Sequence, residues 1–104
     1  MENDKEILAK IKSIVLEEIP DAQLYLFGSR ATGKIHEESD WDILAITQRE
    51  IPKDLKKRIR RKLYPQPDED YFFVDLTIVD KKNWVKNPSY YVLRESIKNE
   101  VVAI

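Results

Sequence analysis

Apolar and polar positions alternate along the chain with two periods. Ile7, Leu8, Ile11, Ile14, Val15 and Ile19 recur at helical spacing and leave Lys10, Lys12, Glu17 and Glu18 on a wet face. Asn3 can cap this helix with Glu6 reaching back, and Pro20 ends it. Ala22 to Phe27 then reads as a strand, with Leu24 and Leu26 on one face and Tyr25 and Phe27 on the other, both covered. Ile43-Leu44-Ala45-Ile46 forms a second strand. A helix from about residue 52 to 63 carries the stripe Leu55, Ile59 and Leu63, introduced by Pro52. The proline-rich stretch from Tyr64 to Asp70 breaks it. A third strand follows in Phe72 to Val79. Asp80 caps a short helix through Trp84, and Asn87-Pro88-Ser89 starts another lined by Tyr90, Leu93 and Ile97. Val101 to Ile104 adds a short edge strand. This order predicts an α+β fold: a small mixed β-sheet of three or four strands with helices packed mainly on one face.

Composition narrows the class. The chain has 104 residues, which suits one domain over 1–104, and is 42% hydrophobic and 36% charged, as globular proteins are. Its net charge of −1 argues against direct nucleic-acid binding driven by overall charge. There are no cysteines, so no disulfide framework or thiolate metal site is available. No apolar run approaches the roughly 20 residues of a membrane span, and the acidic start is no signal peptide. The expected compartment is the cytoplasm.

The chemistry concentrates between residues 28 and 42. Gly28 sits at a strand end, where a missing side chain lets backbone amides approach an anion beside the Ser29 hydroxyl. A short helical turn over Ser29 to Gly33 would face phosphates with its amide end. Arg30 and Lys34 are either phosphate contacts or solvated loop cations, and the lone His36 reads as surface. Asp40 and Asp42 open the second strand at i and i+2, about 6.6 Å apart on one face at roughly 3.3 Å per residue. Two half-buried carboxylates repel unless a cation lies between them, and magnesium fits, since it takes a few carboxylates and completes its shell with phosphate oxygens. The plainer alternative is that Ser39-Asp40 is a polar turn entering a strand. Trp41, between the aspartates, points into the core. Asp75 lies within the apolar third strand, so it needs an ion, a basic side chain or solvent.

Gly28-Ser29, Gly33 and Ser39-Asp40-Trp41-Asp42 before an apolar strand resemble the motif of the minimal nucleotidyltransferases, a branch of the DNA polymerase β-like superfamily. The resemblance implies that Asp40 and Asp42 bind two magnesium ions, with manganese as substitute. It makes Asp75 the third catalytic carboxylate, on the ion that activates the attacking hydroxyl. Gly28 and Ser29, with Arg30 and Ser39, would bind the nucleotide. Small members transfer AMP from ATP, and many are antitoxins encoded beside a HEPN toxin, so a HEPN-type protein is the implied partner. Two other functions stay open: neutralisation by occlusion without chemistry, and nucleotide transfer to a small molecule of the aminoglycoside kind, which the short chain disfavours.

One pattern stands outside that motif. Lys53, Lys56, Lys57, Arg58, Arg60, Arg61 and Lys62 place seven positive charges in ten positions. They are either a solvated helix face or a contact for an acidic partner, a nucleotide or RNA. Tyr90-Tyr91 is likewise either core or a contact for a base or partner.

Overall fold

In the computed structural model, residues 4–28, 40–64 and 73–104 are described. The first helix, α1 (Asp4–Glu18), buries Ile7, Ile11 and Val15 and stops before Pro20. Strand β1 (Gln23–Phe27) is followed by β2 (Trp41–Thr47), α2 (Lys53–Leu63) and β3 (Val74–Asp80). Two short helices, α3 (Lys81–Lys86) and α4 (Tyr91–Ile97), flank a 3-10 turn at Pro88–Tyr90, and β4 (Val102–Ala103) closes the order. Among the described residues these strands form one mixed sheet in the order β3-β2-β1-β4. β1 runs antiparallel to β2 and β4, while β2 and β3 are parallel, with α2 as their crossover.

Alternation along the strands divides the core in two. Leu24, Leu26, Trp41, Ile43, Ala45, Leu76 and Ile78 meet Ile7, Ile11 and Val15 of α1 and Ile59 and Leu63 of α2. The opposite face carries Leu44 and Val79, packed with Trp84, Tyr90, Leu93 and Ile97 of the short helices. The two long helices thus cover one face fully, and the short ones cover only part of the other. Trp41 is 1% exposed, as expected for a residue pointing away from its flanking aspartates.

Local chemistry accounts for the element ends. Asp80 accepts from the Asn83 backbone N–H at 3.1 Å and starts α3, and Asn87 accepts from the Ser89 N–H at 2.9 Å before the 3-10 turn. Thr47, the buried hydroxyl at the end of β2, donates to the Arg49 carbonyl at 2.6 Å. Arg94 donates to the Trp84 and Asn87 carbonyls and fastens α4 to the end of α3.

Candidate active site

Three strands bring the site together. β1 pairs with β2 so that Phe27 lies opposite Asp42, and β2 pairs with β3 so that Asp42 lies opposite Asp75. The Trp41 backbone N–H donates to the Phe73 carbonyl at 2.8 Å, fixing that register at the strands' open end. Neighbouring strands lie about 4.8 Å apart, so the two aspartates stand side by side. They share the face of Leu44 and Val79, beyond the part that the short helices cover. Asp40 immediately precedes β2 rather than belonging to it, and is exposed. Asp75 is exposed as well, so solvent meets the need that its apolar flanks created.

Gly28 ends β1 with φ +76, a left-handed conformation that L side chains rarely adopt. A Cβ built there would collide with the Asp42 carboxylate oxygen Oδ2. Glycine is therefore required twice, by the backbone and by the carboxylate packed against it. Sequence reasoning gave Gly28 to phosphate alone; its fit against Asp42 needed the strand register to be seen.

Asp42 is the electrostatic centre. Burial pushes its carboxyl above the usual aspartate range, and the nearby charges of Asp75 and Asp40 push it further. The donors are hard oxygen atoms with excess negative charge, which suits magnesium or manganese. Among the described residues no group of three or more acidic, histidine or cysteine side chains is placed to hold a metal ion. Asp42 and Asp75 stand opposite each other in register, and magnesium is commonly held by one or two carboxylates with water and phosphate supplying the rest. Ser29, Arg30 and Ser39, with Gly33, Lys34 and His36, lie outside the described residues.

A cleft of about 210 Å³ opens beside Asp75, lined by Arg60, Leu63, Tyr64, Phe73, Val74 and Leu76. Arg60 donates to the Leu76 carbonyl at 3.2 Å, so the last turn of α2 is tied to the outer strand β3. Sequence reasoning left Arg60 as either a solvated charge or a contact for an acidic partner, a nucleotide or RNA. Its position three residues before buried Leu63 was the available signal that it reaches the sheet edge.

A sequence model of the nucleotidyltransferase domain matches residues 8–102. Comparison with curated proteins returns no match. Among solved structures the chain resembles spectinomycin adenyltransferase AAD(9) from Enterococcus faecialis with ATP and spectinomycin, with a TM-score of 0.66 and 21% identity. That likeness covers 81% of this chain and 37% of the other, so the chain spans little more than a third of the enzyme's length. It also resembles a toxin–antitoxin structure with AMP-PNP, with a TM-score of 0.62 and 24% identity over 91% of this chain and 69% of the other. A third likeness is to a tri-AMPylated Shewanella oneidensis HEPN toxin in complex with MNT antitoxin, with a TM-score of 0.60 and 20% identity over 95% of this chain and 69% of the other. At these identities the structures share a fold. The family match runs from α1 to β4 through every strand that carries a site residue, and the chain belongs to the nucleotidyltransferase domain family.

Proposed function

We propose that this chain is a minimal nucleotidyltransferase, one domain over residues 1–104, that moves AMP from ATP to a hydroxyl on a partner protein in the cytoplasm. The partner is a HEPN-type toxin, and the chain is its antitoxin. The observation that carries the chemistry is the register placing Asp42 beside Asp75, with Gly28 closed against Asp42. The partner assignment draws on the tri-AMPylated HEPN toxin and MNT antitoxin of similar fold.

Two divalent ions, magnesium or manganese, held by Asp40, Asp42 and Asp75, would supply charge neutralisation at the reacting phosphate. The protein's own groups set the geometry. Gly28 leaves room for the triphosphate to approach backbone, with Ser29, Arg30 and Ser39 as further contacts. Asp75 lies on the outermost strand, so it is the carboxylate that meets the acceptor. The acceptor oxygen bonds to the α-phosphorus, the bond to pyrophosphate breaks, and the hydroxyl proton leaves towards Asp75 or solvent.

Incubating the protein with magnesium, α-labelled ATP and the product of the adjacent gene tests this reading. Label should move to that protein and fail to do so with Asp75→Asn. Label remaining wholly in nucleotide would overturn it. Neutralisation by binding alone is a second reading, favoured by Tyr91 and Val92, which stand 58% and 75% exposed on α4.

A further inference from the structure

The cations of α2 fall into two groups. Arg58 and Lys62 both bond to Glu18 of α1 at 2.7 Å, Arg60 holds the Leu76 carbonyl, and Lys56 lies in the field of Asp80. Lys53, Lys57 and Arg61 remain. All three are exposed, and among the described residues they make no ion pair or hydrogen bond. They sit one turn apart on the side opposite Ile59 and Leu63, about 6 Å from one to the next along the axis at 1.5 Å per residue. Like charges at this spacing repel. Asp54, the helix's one carboxylate, forms no ion pair with them. At the end of this line Tyr64 is 67% exposed and Phe73 is 47% exposed, and both line the cleft that reaches Asp75.

We propose that this face of α2 docks an acidic helical segment of the partner protein, whose carboxylates sit on Lys53, Lys57 and Arg61 while an apolar side chain enters the cleft beside Asp75. A helix with carboxylates at every fourth position has the same pitch as the three cations, so the pairs form in register. The cleft's Tyr64 and Phe73 give the segment an apolar anchor, and Asp75 lines the same cleft. Nucleic acid fits less well, because three phosphate contacts on a chain of net charge −1 release few counterions and bind weakly. The inference rests on the proposed function for which protein supplies the segment; the cation line itself does not depend on it.

The test is an NMR titration of isotope-labelled protein with an alanine-based helix carrying glutamate at every fourth position and a leucine one turn beyond. A glutamine version of the helix and a single-stranded RNA serve as comparisons. Shifts should centre on Lys53, Lys57, Arg61 and Tyr64, and the glutamine helix should not reproduce them. The double variant Lys57→Glu with Arg61→Glu should bind the acidic helix about tenfold more weakly or worse. Its melting temperature shift with magnesium and ATP should stay as in the wild type. Equal binding of the two helices, retained binding by the double variant, or tighter binding of the RNA would each overturn the proposal. AMP transfer to the adjacent gene's product is followed in parallel. Transfer at full rate by the double variant also overturns the docking face while leaving the proposed function intact. Absence of transfer by the wild type, with the acidic helix still bound, removes the proposed function and upholds the docking face.

Discussion

At the residue scale the account turns on Asp42. Its folded-state carboxyl is raised by burial and by Asp75 and Asp40, so the fold prefers it protonated. The native state then holds more protons than the unfolded chain as pH rises through and above the ordinary aspartate range, and stability falls over that window. Without metal, Asp42→Asn should therefore raise the melting temperature at neutral pH by about 2 °C or more and flatten that part of the pH profile relative to the wild type. With magnesium and ATP the order should reverse, because a ligand held only by the folded wild type stabilises it by mass action. Calorimetric scans with and without ligand check both signs; a variant that keeps the full ligand-dependent shift contradicts the metal role. Gly28→Ala makes a second case. Left-handed backbone costs an L residue about 1–2 kcal/mol, and the new methyl meets Asp42. The melting temperature should fall by several degrees and ATP affinity by about tenfold or more, since both phosphate approach and the carboxylate are disturbed. Equal ATP affinity by titration calorimetry would move the nucleotide elsewhere. The sequence marked Asp40, Asp42, Asp75 and Gly28 as candidates through the spacing of carboxylates and glycine, and the structure brings Asp42, Asp75 and Gly28 together. The sequence left the Gly28 and Asp42 contact hidden, since that depends on which residues pair across β1 and β2.

At the scale of elements, periodicity was a good guide wherever one face is buried. The stripe Leu55, Ile59 and Leu63 predicts α2, and Ile59 and Leu63 are buried while Leu55 packs at the margin. The Asp80 cap and the lining of Tyr90, Leu93 and Ile97 were equally readable. Tyr90-Tyr91 divides: Tyr90 packs against Trp84 with centroids 6.0 Å apart, whereas Tyr91 is exposed beneath the Arg94 guanidinium. Neighbouring residues on a helix face different ways, so a pair of tyrosines could not both be core. The fate of the α2 cations was not legible, because Glu18 lies in another helix and only packing brings it to Arg58 and Lys62. Ile59 is fully buried between α2 and the sheet, and Ile59→Ala should cost about 2–5 kcal/mol. Chemical denaturation should show that loss with an unchanged slope, and a loss below about 1 kcal/mol would mean that α2 is not anchored through Ile59.

At the scale of the whole molecule, element order pointed to an α+β fold with a small mixed sheet and helices mainly on one face, and the four-stranded sheet β3-β2-β1-β4 carries α1 and α2 on one face and the short helices on part of the other. The parallel pairing of β2 with β3 was not spelled out by any residue. It follows from α2 crossing between them, and it is what turns two aspartates 33 positions apart into neighbours. The same arrangement leaves Asp75 exposed on the outer strand. The central claim is that AMP is moved onto a partner protein by Asp40, Asp42 and Asp75. Intact-mass spectrometry of the adjacent gene's product, after incubation with this protein, ATP and magnesium, tests it most directly. The account predicts a mass increase of one or more AMP groups with the wild type and none with the Asp40→Asn and Asp42→Asn double variant. An unmodified partner, neutralised equally well by wild type and double variant, would contradict it.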